Sequence, residues 1–226
     1  SNSCVITNEE GWYKKALDTD LARPKFAIMN PEITYTLPDY QTQCGCADIM
    51  MHTMERYFVL EDTMEITDKI AQDVMKNVMK YAKILKKDPE NYEARAEIMW
   101  CGSLSHNGLT GCGTCGGDWA THLMEHELGG MFDVAHGAGL AAVWGSWARY
   151  VMDEKPERFA QFAVDVMGVE ESDDVKSTAL KGIEAVEEFY RMIEMPTNMK
   201  ELGINPTDEQ IKDMAMKATN HDVSYT

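Results

Sequence analysis

From residue 39 onward the apolar positions recur with a helical period. Ile70, Val74, Val78, Tyr81, Ala82 and Leu85 share one face of the stretch 67–87, which stops at Asp88-Pro89, because a proline ring cannot continue a helix. A helix is expected before it over 40–59, and a third over 92–105 that ends in a loop around Asn107-Gly108. The stretch 139–151, with Trp144 and Trp147, is apolar nearly all round and should be buried. Pro156 suits the first turn of a helix over 157–167, closed by Gly168. Val175, Ala179, Ile183, Val186, Tyr190 and Ile193 mark the apolar face of 172–195, which Pro196 ends. Thr207-Asp208-Glu209-Gln210 is a capping box for a last helix.

Residues 1–38 read differently. The runs 4–7 and 24–29 are β-prone, and 32–37 alternates as a strand would, with Pro24, Pro31 and Pro38 as punctuation. These strands are too few to form a sheet of their own. The pattern therefore predicts a mainly α fold, with a helical domain at 39–226 preceded by a few β-strands in 1–38.

Composition narrows the function. In 226 residues, 44% are hydrophobic, ample for a packed core, and the formal charge of −17 argues against nucleic acid and anionic membrane surfaces as partners. No apolar run approaches a membrane span, and no signal-peptide pattern opens the chain. Six cysteines at this length do not suggest a disulfide framework. Cys112-Gly113-Thr114-Cys115 forms a C-x-x-C near Cys44-Gly45-Cys46, but no second C-x-x-C completes a thiolate zinc site. Free thiols and a cytoplasmic protein are expected. The seventeen methionines fall mostly at apolar helical positions, as core filler.

The candidate chemistry lies in Gly117-Asp118-Trp119-Ala120-Thr121-His122-Leu123-Met124-Glu125-His126-Glu127-Leu128-Gly129-Gly130 and in Ala135-His136-Gly137-Ala138-Gly139-Leu140. His122 and His126 are four apart and share a helix face, while His136 lies beyond an expected break at Gly129-Gly130. Upstream, Asp48 and His52 repeat the four-residue spacing. Carboxylate and imidazole presented from two helices can enclose zinc or ferrous iron.

These residues carry a resemblance. Asp48-x-x-x-His52-x-x-Glu55, Gly-Asp-Trp-Ala-Thr-His122-x-x-Glu-His126 and His136-Gly-Ala-Gly-Leu-Ala resemble the iron-containing (group III) alcohol dehydrogenases, above all their butanol dehydrogenase branch. The likeness runs from Val5 to Ile204. It implies an NAD(P)-linked enzyme acting on small alcohols and aldehydes, with a divalent iron or zinc ion held by Asp48, His52, His122 and His136. It also implies that His126 lies beside the nicotinamide and substrate, and that Lys14, or its neighbour Lys15, touches the cofactor ribose. On this likeness the strands of 1–38 close a nucleotide-binding domain that would precede residue 1, and the family's chain continues past Thr226. The stretch alone should then be inactive. A homodimer is compatible with these features. Glu55 and Glu125 read as residues behind the ligands or on helix surfaces, and His106 and His221 have no partner pattern.

Two other readings compete. His122-Leu123-Met124-Glu125-His126 also matches H-x-x-E-H, a zinc-peptidase pattern with Glu125 as general base. That reading leaves Asp48, His52 and His136 unexplained. The other is a non-catalytic helical module with buried, metal-free histidines.

Overall fold

A computed structural model describes residues 3–61 and 64–219. It is mainly α, as the periodicity predicts. Among the described residues, strands β1 (Ser3–Asn8) and β2 (Tyr13–Asp18) precede eight α-helices. These are α1 (Asp39–Tyr57), α2 (Glu65–Leu85), α3 (Tyr92–His106), α4 (Ala120–Phe132), α5 (His136–Val151), α6 (Pro156–Asp165), α7 (Val175–Met192) and α8 (Asp208–Thr219). Local sequence fixes several of their ends. The Asn91 side chain accepts a hydrogen bond from the Ala94 amide at the start of α3, and Asp174 does the same for the Lys176 amide at α7. The capping box forms: the Gln210 amide donates to Thr207 Oγ1, and the Thr207 amide to Gln210 Oε1. His221 and the rest of 220–226 lie outside the described residues.

The amino-terminal stretch departs from expectation. β1 and β2 form an antiparallel hairpin in register from Ser3↔Asp18 to Asn8↔Tyr13, turned by Gly11 and Trp12 with positive φ. Neither 24–29 nor 32–37 is a strand. Pro31 instead opens a 3-10 turn, Pro31–Thr34, in which the Asn30 side chain caps the Glu32 amide and Thr34 Oγ1 donates to the Pro31 carbonyl. A proline at the first position with a side-chain cap before it outweighs the alternation.

α1 runs through the middle of the core, packed by α2, α3 and α5. Cys46, Ala47, Met50, Met51 and Met54 on it are fully buried. Its end meets an aromatic group in which Phe58 stacks on Phe159 at 4.3 Å and neighbours Trp144, Trp147 and Phe162. α6 and α7 pack so closely that a Cβ at Gly182 would lie 2.5 Å from Ala163 Cβ. No described helix is long and apolar enough to cross a membrane.

One ion pair sits inside this core. Arg158 of α6 donates to both oxygens of Asp68 on α2, at 2.5 and 2.7 Å, and through Nε to the Tyr57 carbonyl at 2.9 Å, with its guanidinium 3.5 Å from the Tyr57 ring centroid. Removing one partner of a buried pair leaves the other charge uncompensated. Arg158→Ala is therefore expected to lower unfolding stability by about 3–5 kcal/mol, measured by chemical denaturation. A loss near that of an exposed pair would contradict this account.

Candidate metal centre

Three helices supply the centre. Asp48, His52 and Glu55 follow one another at helical spacing on α1, so one face of that helix presents all three. His122, Glu125 and His126 lie on α4, and His136 is the first residue of α5, three positions earlier than the apolar pattern marks its start. Glycines allow these helices to close up. A Cβ at Gly137 would fall 2.0 Å from the Cys44 carbonyl oxygen, so the start of α5 lies directly on α1 one turn before Asp48. Gly116 and Gly117 adopt positive φ, and the Asp118 amide that follows donates to the Glu55 carbonyl, docking the start of α4 on α1. Gly129-Gly130 is not a break. α4 continues to Phe132, and the two glycines make room for the hairpin: a Cβ at Gly129 would lie 2.5 Å from Lys14 Nζ, and one at Gly130 would lie 2.7 Å from the Trp12 carbonyl oxygen.

The donor atoms converge on Asp48. Its Oδ1 faces Nε2 of His52 at 3.6 Å, of His122 at 3.6 Å and of His136 at 3.5 Å, while the His52 and His122 Nε2 atoms are 3.2 Å apart. Neighbouring donors around a tetrahedral ion with bonds of about 2.0–2.2 Å stand roughly 3.3–3.6 Å apart. Asp48 Oδ1 is buried and accepts no hydrogen bond among the described residues. Three imidazole nitrogens at donor spacing from one otherwise unpartnered carboxylate oxygen are a donor set whose chemistry suits a divalent ion.

Behind the ring nitrogens stand carboxylates. Glu55 faces His122 Nδ1 and also accepts from the His122 amide at 3.1 Å, and Glu125 faces His136 Nδ1. Both glutamates are fully buried, so each holds its imidazole with Nε2 turned to Asp48. Lys14 of β2 completes the second pair, with Nζ 3.1 and 3.2 Å from the two Glu125 oxygens. Lys15 goes elsewhere, 5.7 Å from the Tyr13 ring centroid. His52 is held by packing, edge-on to Trp119 at 5.3 Å and against His106 at 3.8 Å. Arg56 lies over the other ring partner, Trp119, at 4.6 Å. The His126 ring centroid is 6.3 Å from that of His122 and 5.8 Å from that of His136.

The electrostatics favour a positive charge here. Burial would raise Asp48, but the imidazoles of His106, His122 and His136 facing it hold its carboxyl well below the usual carboxylate range. Burial opposes protonation of His122, yet Asp48 and Glu55 outweigh it and push the ring up to about 9; Asp48 and Glu55's counterpart Glu125 raise His136 likewise against burial. Burial, aided by the neighbouring His122, pushes His52 down to about 2.

The match of residues 42–226 to the profile of the Fe-containing alcohol dehydrogenase family, C-terminal part, decides the family. The chain belongs to the Fe-containing alcohol dehydrogenases. It is 35% identical over 218 residues to NADH-dependent butanol dehydrogenase A of Clostridium acetobutylicum, covering 96% of this chain and 55% of that one. Over 228 residues it is 31% identical to the NADPH-dependent aldehyde reductase YqhD of Escherichia coli, covering 97% and 58%. The crystal structure of NADH-dependent butanol dehydrogenase A from Thermotoga maritima superposes with a TM-score of 0.90 at 35% identity, over 96% of this chain and 54% of that one. This member of the Fe-containing alcohol dehydrogenases spans about half the length of the curated relatives it matches.

Family membership removes the peptidase reading, and so does the geometry. Glu125, its general base, is fully buried between Lys14 and His136. Sequence reasoning missed His106, whose Nε2 lies 3.4 Å from Asp48 Oδ2. Its only sequence signal is position, at the last turn of a helix that packs on α1.

Two outcomes follow from this geometry. Glu55→Gln should keep the fold and weaken divalent-metal binding by about 10–100-fold, read by titration with cobalt or zinc; unchanged affinity would remove Glu55 from the centre. Because His122 and His136 bind protons that a metal must displace, affinity should rise with pH between about 6.5 and 9 and then level off. Titrations showing no pH dependence in that range would contradict the raised imidazoles.

Proposed function

We propose that the chain is the metal-binding, catalytic part of a cytoplasmic NAD(P)-linked alcohol dehydrogenase interconverting small primary alcohols and aldehydes, like its butanol dehydrogenase relatives. The observation that carries the reading is the buried Asp48 Oδ1 faced by three Nε2 atoms at 3.5–3.6 Å. Asp48, His52, His122 and His136 would hold Fe(2+) or Zn(2+), since imidazole and carboxylate suit both ions. Such an ion supplies Lewis acidity, easing loss of the alcohol proton and polarising the aldehyde carbonyl.

The other roles belong to side chains. Glu55 and Glu125 keep the His122 and His136 rings turned inward. His126, one turn beyond His122 and beside His136, takes up the alcohol proton and passes it towards solvent, a task suited to an imidazole. Lys14 contacts the cofactor ribose with the one N–H that Glu125 does not use. Residues 1–38 belong with a nucleotide-binding domain, and 39–226 form the metal domain. Exposure of Ile6, Leu21, Phe26, Ile28 and Ile33 supports this division, because such apolar surface suits burial against further protein. The six free cysteines suit a reducing compartment.

The chain alone is expected to take up one divalent ion yet show no saturable micromolar NAD(P)H binding. The glycines before α4 follow a 3-10 turn (Leu109–Gly111) rather than the strand that a pyrophosphate cradle needs. Anaerobic metal titration tests the first part, with His122→Ala/His136→Ala expected to abolish uptake; uptake unchanged in that variant would overturn the reading. Calorimetry with NADH and NADPH tests the second. In an active full-length enzyme, His126→Ala should retain metal and lose roughly ten- to a thousandfold in turnover. Lost metal would instead make His126 a ligand, and unchanged turnover would remove it from the chemistry.

A further inference from the structure

His106 stands on the side of Asp48 that the four-residue donor set does not use. It closes α3, and its side chain is 36% exposed, at the rim of the centre. The ring is nevertheless turned inward. Nε2 lies 3.4 Å from Asp48 Oδ2, and the ring packs against His52 at 3.8 Å between centroids. Donor atoms of Asp48, His52 and His106 all lie within 4.8 Å of one another.

The other nitrogen decides what Nε2 can do. Nδ1 is 2.9 Å from the Gly102 carbonyl oxygen and 2.7 Å from Ser105 Oγ. A carbonyl only accepts, so Nδ1 carries the hydrogen. With Nδ1 carrying the hydrogen, Nε2 faces the carboxylate oxygen either as the N–H of an imidazolium, which donates to it, or as the lone pair of a neutral ring, which can share a metal cation with it. Metal-binding histidines characteristically fix their other ring nitrogen on a carboxylate or backbone carbonyl. His122 and His136 do so through Glu55 and Glu125, and His106 does so through Gly102. His52 does not: its Nδ1 is buried without a hydrogen-bond partner among the described residues. By this criterion His106 is better prepared to ligate than one of the four expected ligands.

We propose that His106 is a further metal ligand, which binds the ion through Nε2 beside Asp48 Oδ2 and His52. The inference rests on the metal-centre reading above and deepens it. Its consequence is selectivity. Four donors suffice for tetrahedral zinc, whereas a fifth imidazole, with Asp48 able to offer both oxygens, suits ions that take five or six ligands, ferrous iron and cobalt among them.

Cobalt(II) tests this directly, because its visible absorption is weak with five or six ligands and intense with four. The purified chain is titrated anaerobically with cobalt, and cobalt is then competed with zinc, for the native chain, His106→Leu and His106→Gln. Circular dichroism checks that all three are folded. Weak bands are expected in the native chain and intense ones in His106→Leu, with cobalt affinity at least about tenfold lower and zinc affinity little changed. His106→Gln should behave as His106→Leu does. Glutamine can donate a hydrogen bond to Asp48 but replaces imidazole poorly as a ligand, so native behaviour in that variant would show that His106 only positions Asp48 and would overturn the proposal. Intense bands in the native chain, or identical spectra and affinities throughout, would overturn it while leaving the four-ligand centre standing. No cobalt uptake by the native chain would overturn both.

Discussion

Everything at the centre depends on Asp48 meeting imidazoles from two other helices at a single point. His52 comes with Asp48 on α1, but His122 and His136 arrive from α4 and α5, and Nε2 of each stands 3.5–3.6 Å from the same oxygen. Convergence of this kind fails if any helix shifts by a side-chain width. The close approach at Gly137, the glycine turn that docks the Asp118 amide on Glu55, and the buried methionines around α1 all serve that tolerance. Flexible thioether side chains fill space around a helix whose one polar face cannot be repacked.

Burying two carboxylates beside a third that is only partly exposed carries a heavy desolvation cost, and each is offset by a different partner. Glu55 takes the His122 ring and the His122 amide; Glu125 takes the His136 ring and the Lys14 ammonium. Asp48 has only imidazoles before it, and its Oδ1 accepts a hydrogen bond from none. The arrangement raises His122 and His136 and depresses Asp48, which are three expressions of one local demand for positive charge. His52 moves the other way because burial there is not answered by a carboxylate on its Nδ1.

Much of this was legible in the sequence, for local reasons. Helical periodicity sets α2 and α7 within a few residues, and the Thr207–Gln210 cap forms as its residue types require. The i,i+4 spacing of Asp48 and His52 puts both on one face. What could not be read is non-local. Alternation at 32–37 gave way to Pro31 and its Asn30 cap. Gly129-Gly130 looks like a break until the hairpin is laid against it, when both positions prove to lack room for a side chain. His106 has no ligand-type partner at helical spacing within α3, since Asp48 and His52 are brought to it by the packing of α3 on α1. Glu55 and Glu125 could be placed behind the ligands by spacing, but which imidazole each one holds is a tertiary fact.

The hairpin gives the last of these non-local facts its weight. Residues 1–38 and 39–226 differ in pattern, yet the charge network of the centre crosses between them through Lys14. An ammonium reaching from β2 onto a fully buried Glu125 is one step from His136, so displacement of the hairpin leaves a buried carboxylate short of its counter-charge. Breaking such a pair costs far more than the loss of an exposed one. The hairpin is therefore part of the centre's support despite its exposed surface, and the two glycines on α4 are the sequence's record of where it sits. Any partner that bears on the hairpin also bears, through Lys14 and Glu125, on the orientation of the His136 ring.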